Sequence, residues 1–335
     1  MNYSIIIPHH NIPKLLKRAI DSIPQREDLE IIVVDDASSP KFKEEIRSAC
    51  DVKMRNIHLI ELEENGGGGR ARNAGLDVAS GLFVLFLDAD DFFNYCINDV
   101  LDQYKDTDAD IVYFKGNCVD SDSYIVGNRL DYNNKKIDNY LINRSKGEEE
   151  LRYHFQVPVC KIVRRSVISK YNIRFDETNI RNDVTFAYKL GYYASKIAVD
   201  RRAIYCATTR EGSVSSFRGA DRILTTIDVL GRAVLFFRSI GRGDAGYETS
   251  LSHNLYILLR RKDYQSFNKG FEHLQKLGLD RREMEHLFAK RMAETALSSC
   301  VWCIAYSPNT TIRWKSFINL FVIAVPSFIK MKIIR

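Results

Sequence analysis

Short apolar runs alternate with amphipathic stretches through the first hundred residues. Ser4–Ile7 is a β-branched run, and Lys14–Ile23 sets Leu15, Leu16, Ala19, Ile20 and Ile23 at helical spacing. Leu29–Val34 predicts a second strand, Phe42–Cys50 a second helix and Ile57–Leu62 a third strand. Gly66–Gly69 opens a helix over Arg70–Ala79, and Leu82–Leu87 predicts a fourth strand. Strands covered on both faces read as continuous apolar runs, with helices as crossovers between parallel neighbours. The pattern predicts an α/β fold on a doubly wound, mostly parallel sheet.

Further along, Ile111–Phe114 predicts a fifth strand. Residues 119–147 are polar and rich in Asn and Asp, and read as a loop or small irregular subdomain over the site. Residues 150–216 are mixed. From Ala220 to Ser307 the pattern is helical, with basic clusters at Arg260-Arg261-Lys262 and Arg281-Arg282. The apolar run Phe317–Ile329 is interrupted by Pro326 and flanked by Trp314-Lys315 and Lys330-Met331-Lys332. A bilayer span needs about twenty residues, so this run reads as an interfacial anchor at 314–335, or as a last helix packed on the core.

A sheet of this type binds ligands beyond the carboxyl ends of its strands. There the fourth run breaks into Asp88-Ala89-Asp90-Asp91, three carboxylates in four residues. Concentrating charge where water is partly excluded is costly unless a cation or donor-rich ligand shares the site. Oxygen ligands in such a place suit Mg²⁺ or Mn²⁺, which bridge to a ligand's phosphates. Asp35-Asp36 ends the second strand. A carboxylate there can accept from an imide N–H or a ribose hydroxyl, and such pairs also form ordinary turns.

Asn65-Gly66-Gly67-Gly68-Gly69-Arg70-Ala71-Arg72-Asn73 is the third constellation. Glycines admit backbone N–H groups to phosphate oxygens, and a helix N-terminus adds a positive dipole. Arg70 or Arg72 could neutralise a diphosphate. Gly66-x-Gly68-x-x-Ala71 with Asp88 downstream also has the outline of a dinucleotide fingerprint, which makes an NAD-type oxidoreductase the rival enzyme class.

Composition narrows the setting. With 45% hydrophobic and 27% charged residues the 335-residue chain is globular. Residues 1–110 hold 12 Lys/Arg against 21 Asp/Glu, and residues 111–335 hold 37 against 22. The basic second part suits contact with something anionic, such as nucleic acid, lipid headgroups or a phosphorylated substrate. Seven cysteines in apolar segments are no disulfide framework, and the lone Cys300-x-x-Cys303 reads as buried thiols rather than zinc ligands. His154 and His253 are lone histidines, ordinarily structural, with a lesser reading as metal ligands. The first strand begins without a preceding leader, which predicts a reducing, cytoplasmic setting.

Together these motifs resemble the family 2 glycosyltransferases of the GT-A fold. The matching residues are Ser4-Ile5-Ile6-Ile7-Pro8 with Asn11, Ile32 to Ser38, Asn65-Gly66-Gly67, Ala71 to Gly75 and Phe86 to Phe92. Weaker likeness follows at Val159 to Arg165, Ile173-Arg174-Phe175, Asn182-Asp183-Val184 and Tyr205 to Ser215, the last similar to bacterial members that build surface polysaccharides. The resemblance implies a GT-A domain over 1–216, with a nucleotide-binding half (1–115) and an acceptor half (116–216), followed by a helical, basic region at 217–335.

It also implies roles. Pro8 and Asp36 would line a uracil pocket, Arg72 would face the diphosphate or ribose, and Asp88 would meet the ribose and the water shell of a metal. Asp90 would ligate Mn²⁺ or Mg²⁺, Asp91 would shape the acceptor side, and Asp183 would be the catalytic base. Asp183 as an ordinary helix N-cap is the structural alternative. His10 stands where the family carries Tyr, and Asn182 where it carries Glu, which bears on base stacking and on acceptor binding. The implied activity is metal-dependent, inverting transfer from a UDP-sugar to a glycan or lipid-linked acceptor, in lipopolysaccharide or capsule synthesis. Peripheral membrane contact through the C-terminus is implied and nucleic acid is not. A catalytically degenerate binding subunit is the non-enzyme alternative.

Overall fold

The structure, a computed structural model, describes residues 1–52, 55–210, 219–242, 246–295 and 303–318. It divides into two compact units, Met1–Ser213 and Val214–Arg335.

The first unit is built on one eight-stranded sheet: β1 (Tyr3–His9), β2 (Leu29–Asp35), β3 (Ile57–Glu61), β4 (Phe83–Phe86), β5 (Phe92–Phe93), β6 (Ile111–Asp120), β7 (Lys161–Arg164) and β8 (Ile197–Thr209), in the order β3-β2-β1-β4-β7-β6-β8-β5. Its helices are α1 (Pro13–Asp21), α2 (Lys43–Cys50), α3 (Gly67–Val78), α4 (Ile97–Tyr104), α5 (Asp131–Ile142), α6 (Arg144–His154), α7 (Arg165–Lys170) and α8 (Asp183–Tyr193). The first four strands pair in parallel as the apolar runs predict. Beyond them β7 runs antiparallel to both β4 and β6, and β5 antiparallel to β8, while β6 and β8 are parallel. The sheet is therefore mixed.

Register sets the site. Pro8 lies beside Val34 and His9 beside Asp35, and the Leu87 amide donates to the Ile6 carbonyl. The ends of β1, β2 and β4 thus finish level, which brings Asp35-Asp36 and Asp88 to one edge. The core beneath them is aliphatic and aromatic: Ile5, Ile6, Ile7, Ile32, Val33, Phe83, Phe86 and Phe114 are all buried.

Two expectations change. Residues 119–147 are not irregular: β6 runs on to Asp120, and α5 and the start of α6 fill most of the rest. The glycine run is not a loop ahead of its helix, because α3 begins at Gly67 and takes Gly67–Gly69 as its first turn.

The second unit contains α9 (Ala220–Ser239), α10 (Tyr247–Arg260), α11 (Tyr264–Lys276) and α12 (Arg281–Thr295). Ile227, Val234, Phe237, Leu255, Phe267, Phe271 and Phe288 form its buried interior. No described helix is long and apolar enough to cross a membrane. Cys300 and the anchor expected at 314–335 lie outside the described residues, apart from 314–318. There Trp314 is 68% exposed, beside exposed Phe317 and Ile318. A 350 Å³ cavity is lined by Ile304, Thr310, Arg313, Trp314 and Phe317.

Candidate active site

The base of the site is a buried frame behind β1 and β2. Asp35 is fully buried and accepts from His9 Nδ1 at 3.0 Å, Lys43 Nζ at 2.5 Å and the Ser38 hydroxyl. These partners hold its carboxyl well below the usual range, although burial alone would raise it. The other His9 nitrogen accepts from the Ile12 amide at 3.1 Å, which fixes the tautomer and the turn into α1.

Asp36, also buried, turns towards α3. Its two oxygens accept from the Gly66 amide at 2.8 Å and the Gly67 amide at 2.7 Å. A helix start leaves amides unpartnered and carries positive partial charge, and Asp36 answers both. Two of the amides expected to cradle phosphate are therefore taken by Asp36, which ties the β2 end to the glycine run. The Asp36 carbonyl accepts from His10 Nδ1 at 2.7 Å and from Asn65 Nδ2 at 3.1 Å. The exposed His10 ring is fixed above Asp36, where the family carries Tyr. Pro8 is half-buried two residues before it.

The stretch Ala71 to Gly75 on α3 has a part for each face. Gly75 allows α3 to lie on β1, since a Cβ there would stand 2.5 Å from Ile6 Cγ2. The Asn73 side chain pairs with the Phe175 backbone in both directions, donating at 3.0 Å and accepting at 2.9 Å. Arg72, buried and 5.4 Å above the Phe175 ring, donates to Asp88 Oδ1 at 2.5 Å and to Asn182 Oδ1 at 3.1 Å. One guanidinium joins the fourth strand's acidic end to the residue preceding Asp183.

The acidic stretch divides by environment. Asp91 is buried and accepts from the Tyr205 hydroxyl at 2.5 Å and the Thr208 amide at 2.7 Å. Tyr205 also receives the Asp88 amide at 3.3 Å. Burial, then the charges of Asp88 and Asp90, push the Asp91 carboxyl up. Asp91 faces β8, and in this geometry it braces the turn. Asp88 and Asp90 face outward, their side chains 30% and 22% exposed. Asp90 Oδ2 accepts from Arg210 Nε at 3.1 Å, and its carbonyl accepts from Arg18 at 2.6 Å and from Thr208 Oγ1 at 2.7 Å.

Asp183 begins α8 and is half-buried. Burial raises it above its ordinary value, against the pull of Arg72 and Lys161. No hydrogen bond to it from another side chain is found among the described residues. Asn182 stands at the N-cap without capping the helix, its side chain committed to Arg72. Behind it Lys161 is buried and donates to the Phe155 and Val157 carbonyls at 2.8 and 2.7 Å, with burial pulling its amine down to about 7.

The structure thus brings Asp36, Arg72, Asp88, Asp90, Asn182 and Asp183 into one connected region, with Asp91 behind it. Reading the sequence for function left Arg18, Arg129, Lys161, Tyr205 and Arg210 without roles. Arg129 donates to the Thr208 carbonyl at 3.0 Å, and its positive charge is favoured by Asp91, Asp88 and Asp90 against the effect of burial. Lys161, Tyr205 and Arg210 fall inside stretches of family likeness, so a signal existed for them. Arg18 and Arg129 carried none.

Among the described residues no three His, Cys, Asp or Glu side chains converge as a metal-binding group. Asp88 and Asp90 nonetheless fit Mg²⁺ or Mn²⁺: both are hard oxygen donors, partly exposed, and each ion pair engages a single carboxylate oxygen. Mg²⁺ in particular is usually held by one or two carboxylates plus substrate phosphates and water, so a third ligand is not required. His253 is exposed on α10.

The family model for "Glycosyl transferase family 2" matches residues 4–171. Glycosyltransferase GlyG of Streptococcus pneumoniae is 25% identical over 222 residues, 63% of this chain and 72% of the relative. The poly(ribitol-phosphate) beta-N-acetylglucosaminyltransferase TarS of Staphylococcus aureus is 27% identical over 63% of this chain. The teichoic acid poly(glycerol phosphate) polymerase of Staphylococcus epidermidis is 27% identical over 56%. The chain spans only 36% and 25% of these last two relatives' own lengths. Among solved structures, S. aureus TarS 1–349 in complex with UDP-GlcNAc aligns with TM-score 0.64 and 22% identity, over 96% of this chain and 89% of that one. The mannosyltransferase PcManGT from Pyrobaculum calidifontis, in complex with GDP-Man and Mn²⁺, aligns with TM-score 0.54 and 17% identity, over 96% and 86%. The structural likeness is one of fold, GT-A-type with a helical C-terminal region. The chain belongs to glycosyl transferase family 2, and the dinucleotide reading of its glycine run gives way to the Asp36 contacts and to that membership.

Proposed function

We propose that this family 2 glycosyltransferase transfers a sugar from a UDP-sugar, with inversion, to a cell-surface glycopolymer acceptor carried on lipid or on an anionic chain. The observation that carries the reading is Arg72, which holds Asp88 on the donor side and Asn182 beside Asp183 through one guanidinium. A transferase must bring a diphosphate leaving group and an acceptor hydroxyl to opposite faces of one sugar carbon, and this link fixes the two sides relative to each other.

On the donor side, Pro8 and Asp36 border the nucleobase pocket, and Arg72 meets the ribose or diphosphate. Asp36 retains acceptor capacity for an imide N–H beyond its two amide contacts, since an ionised carboxylate has about four lone-pair sites. Asp90, with Asp88 through water, would hold Mn²⁺ or Mg²⁺, which when bound offsets charge on the leaving diphosphate. On the acceptor side, Asp183 takes the proton from the acceptor hydroxyl as it attacks the anomeric carbon and the bond to the diphosphate breaks. A carboxylate raised by burial is a stronger base than an exposed one, and a positioned base supplies about 10²- to 10⁴-fold. Asn182, an amide, orients through Arg72 and carries no charge of its own. Displacement in one step turns an α-linked donor into a β-linked product.

Lipopolysaccharide or capsule assembly is the setting we propose, and the names of TarS and the glycerol-phosphate polymerase extend it to wall polymers. Exposed Trp314, Phe317 and Ile318 beside Arg313 and Lys315 support peripheral contact with the inner face of the membrane. The test is transfer from a panel of labelled UDP-sugars to lipid-linked and polymer acceptors, with product anomers read by NMR. Inverted product from the native chain and none from Asp183→Asn supports the reading. UDP binding with neither hydrolysis nor transfer would favour a degenerate binding subunit.

A further inference from the structure

Three carboxylates share the end of β4 and its turn, and each has a different partner. Asp88 is paired with Arg72 from α3, and Asp91 is locked to Tyr205 and Thr208 on β8. Asp90 is paired with Arg210, the residue that follows β8, with Nε 3.1 Å from Oδ2 and both side chains only partly exposed. The Asp90 backbone is held separately, its carbonyl fixed by Arg18 at 2.6 Å and by Thr208 at 2.7 Å. The Asp90 backbone is therefore set in place by contacts that do not involve Arg210, whereas its carboxylate is met by Arg210.

A guanidinium on Asp90 Oδ2 and a divalent cation on the same carboxylate compete for one negative charge. They also repel each other, so a cation at Asp90 disfavours Arg210 where it lies. A guanidinium released there stands beside the position of any diphosphate bridged to that cation, and its forked donors suit phosphate oxygens. We propose that Arg210 is the resident counter-ion of Asp90, that it yields to the divalent cation, and that it then pairs with the donor diphosphate. Cation entry and diphosphate capture are in this way coupled through one side chain. Arg72 is not the exchanged counter-ion, because it is buried and bound to Asn182 as well as to Asp88. The inference rests on the reading that Asp90 takes the cation.

The test uses Mn²⁺ itself. Free Mn²⁺ is measured by electron paramagnetic resonance against the full chain without nucleotide, for the native protein, Arg210→Gln, Arg210→Lys and Asp90→Asn. UDP affinity at saturating Mn²⁺ is measured by calorimetry. Removal of a partly exposed counter-ion should tighten Mn²⁺ binding by Arg210→Gln by roughly threefold to tenfold and weaken UDP binding by about tenfold. Arg210→Lys keeps the charge, and should match the native Mn²⁺ affinity and lose less of the UDP affinity. Equal Mn²⁺ affinity in the native protein and Arg210→Gln overturns the inference and leaves the cation assignment standing. Native-like Mn²⁺ binding by Asp90→Asn, or no Mn²⁺ binding by any form, overturns the assignment of the cation to Asp90 and the inference with it. Unchanged circular dichroism and melting temperature for both arginine variants show that the comparison is between folded proteins.

Discussion

Arg72 donates to Asp88 across 2.5 Å while buried against the Phe175 ring. The pair is strong because its guanidinium is largely removed from water, yet Asp88 keeps enough exposure to meet a ligand. Replacing Arg72 with Met leaves Asp88 without its cation and Asn182 without its partner. The expected cost is about 1–3 kcal/mol of stability, below that of a fully buried pair because Asp88 remains partly hydrated. UDP affinity should fall by roughly tenfold to a hundredfold. Urea unfolding and calorimetry check the two separately.

Asp183 gives a pH prediction. Burial raises its carboxyl from the ordinary 3.8, so the acid limb of kcat should lie above the range of an exposed carboxylate. The sign for stability is opposite to that of a salt-bridged Asp. The folded state holds the proton more tightly than the unfolded chain, so stability falls as pH rises from the ordinary value through the raised one. Asp183→Asn should then melt at or above the native temperature at about pH 8, with the advantage shrinking towards about pH 4, while transfer drops by about 10²- to 10⁴-fold and UDP binding persists. A lower melting temperature at the higher pH would show that the charge is stabilising there.

The glycine run makes its own prediction. A Cβ on Gly69 would stand 2.0 Å from the Asp176 carbonyl oxygen and 2.9 Å from Asn182 Cβ, whereas one on Gly219 meets nothing within 4 Å. Gly69→Ala must push on the segment that carries Asn182 and Asp183. It should cost about 1–3 kcal/mol and lower kcat, with Gly219→Ala neutral in both. Unfolding curves and turnover of the two variants decide it.

Much of this fold was legible in the sequence because parallel strands covered on both faces leave unbroken apolar runs. β1 to β4 and α1 to α3 follow that signal closely. In the second half of the sheet only the start of β6 declared itself, at Ile111–Phe114. β7 is four residues long and inserts antiparallel between β4 and β6, and such pairing depends on partners far away in the chain. The 119–147 stretch misled because Asn and Asp favour loops locally, while Ile137, Tyr140 and Leu151 bury the helices they belong to. In the site, residue types were visible and their partners were not. That Asp36 caps α3, that Asp91 faces inward and that Asn182 reaches Arg72 are three-dimensional facts with no periodicity to mark them.

The exposed aromatic and basic residues at 313–318 predict binding to vesicles that contain anionic lipid, weakening as salt rises. Trp314→Ala should reduce partition by roughly tenfold to a hundredfold, since burying a large apolar side chain contributes roughly 1.5–3 kcal/mol. Co-sedimentation with anionic and neutral vesicles reads this directly. Equal binding to both would remove the electrostatic part of the account.

The central claim is that the level ends of β1, β2 and β4 form a pocket for a uridine diphosphate with a divalent cation. Thermal stabilisation of the native chain by UDP, GDP, TDP, CMP and NAD⁺, each with and without Mn²⁺, tests it most directly. The account predicts a shift with UDP that grows with Mn²⁺ and is lost in Asp90→Asn. A shift with NAD⁺ alone, or none with any nucleoside diphosphate, would contradict it.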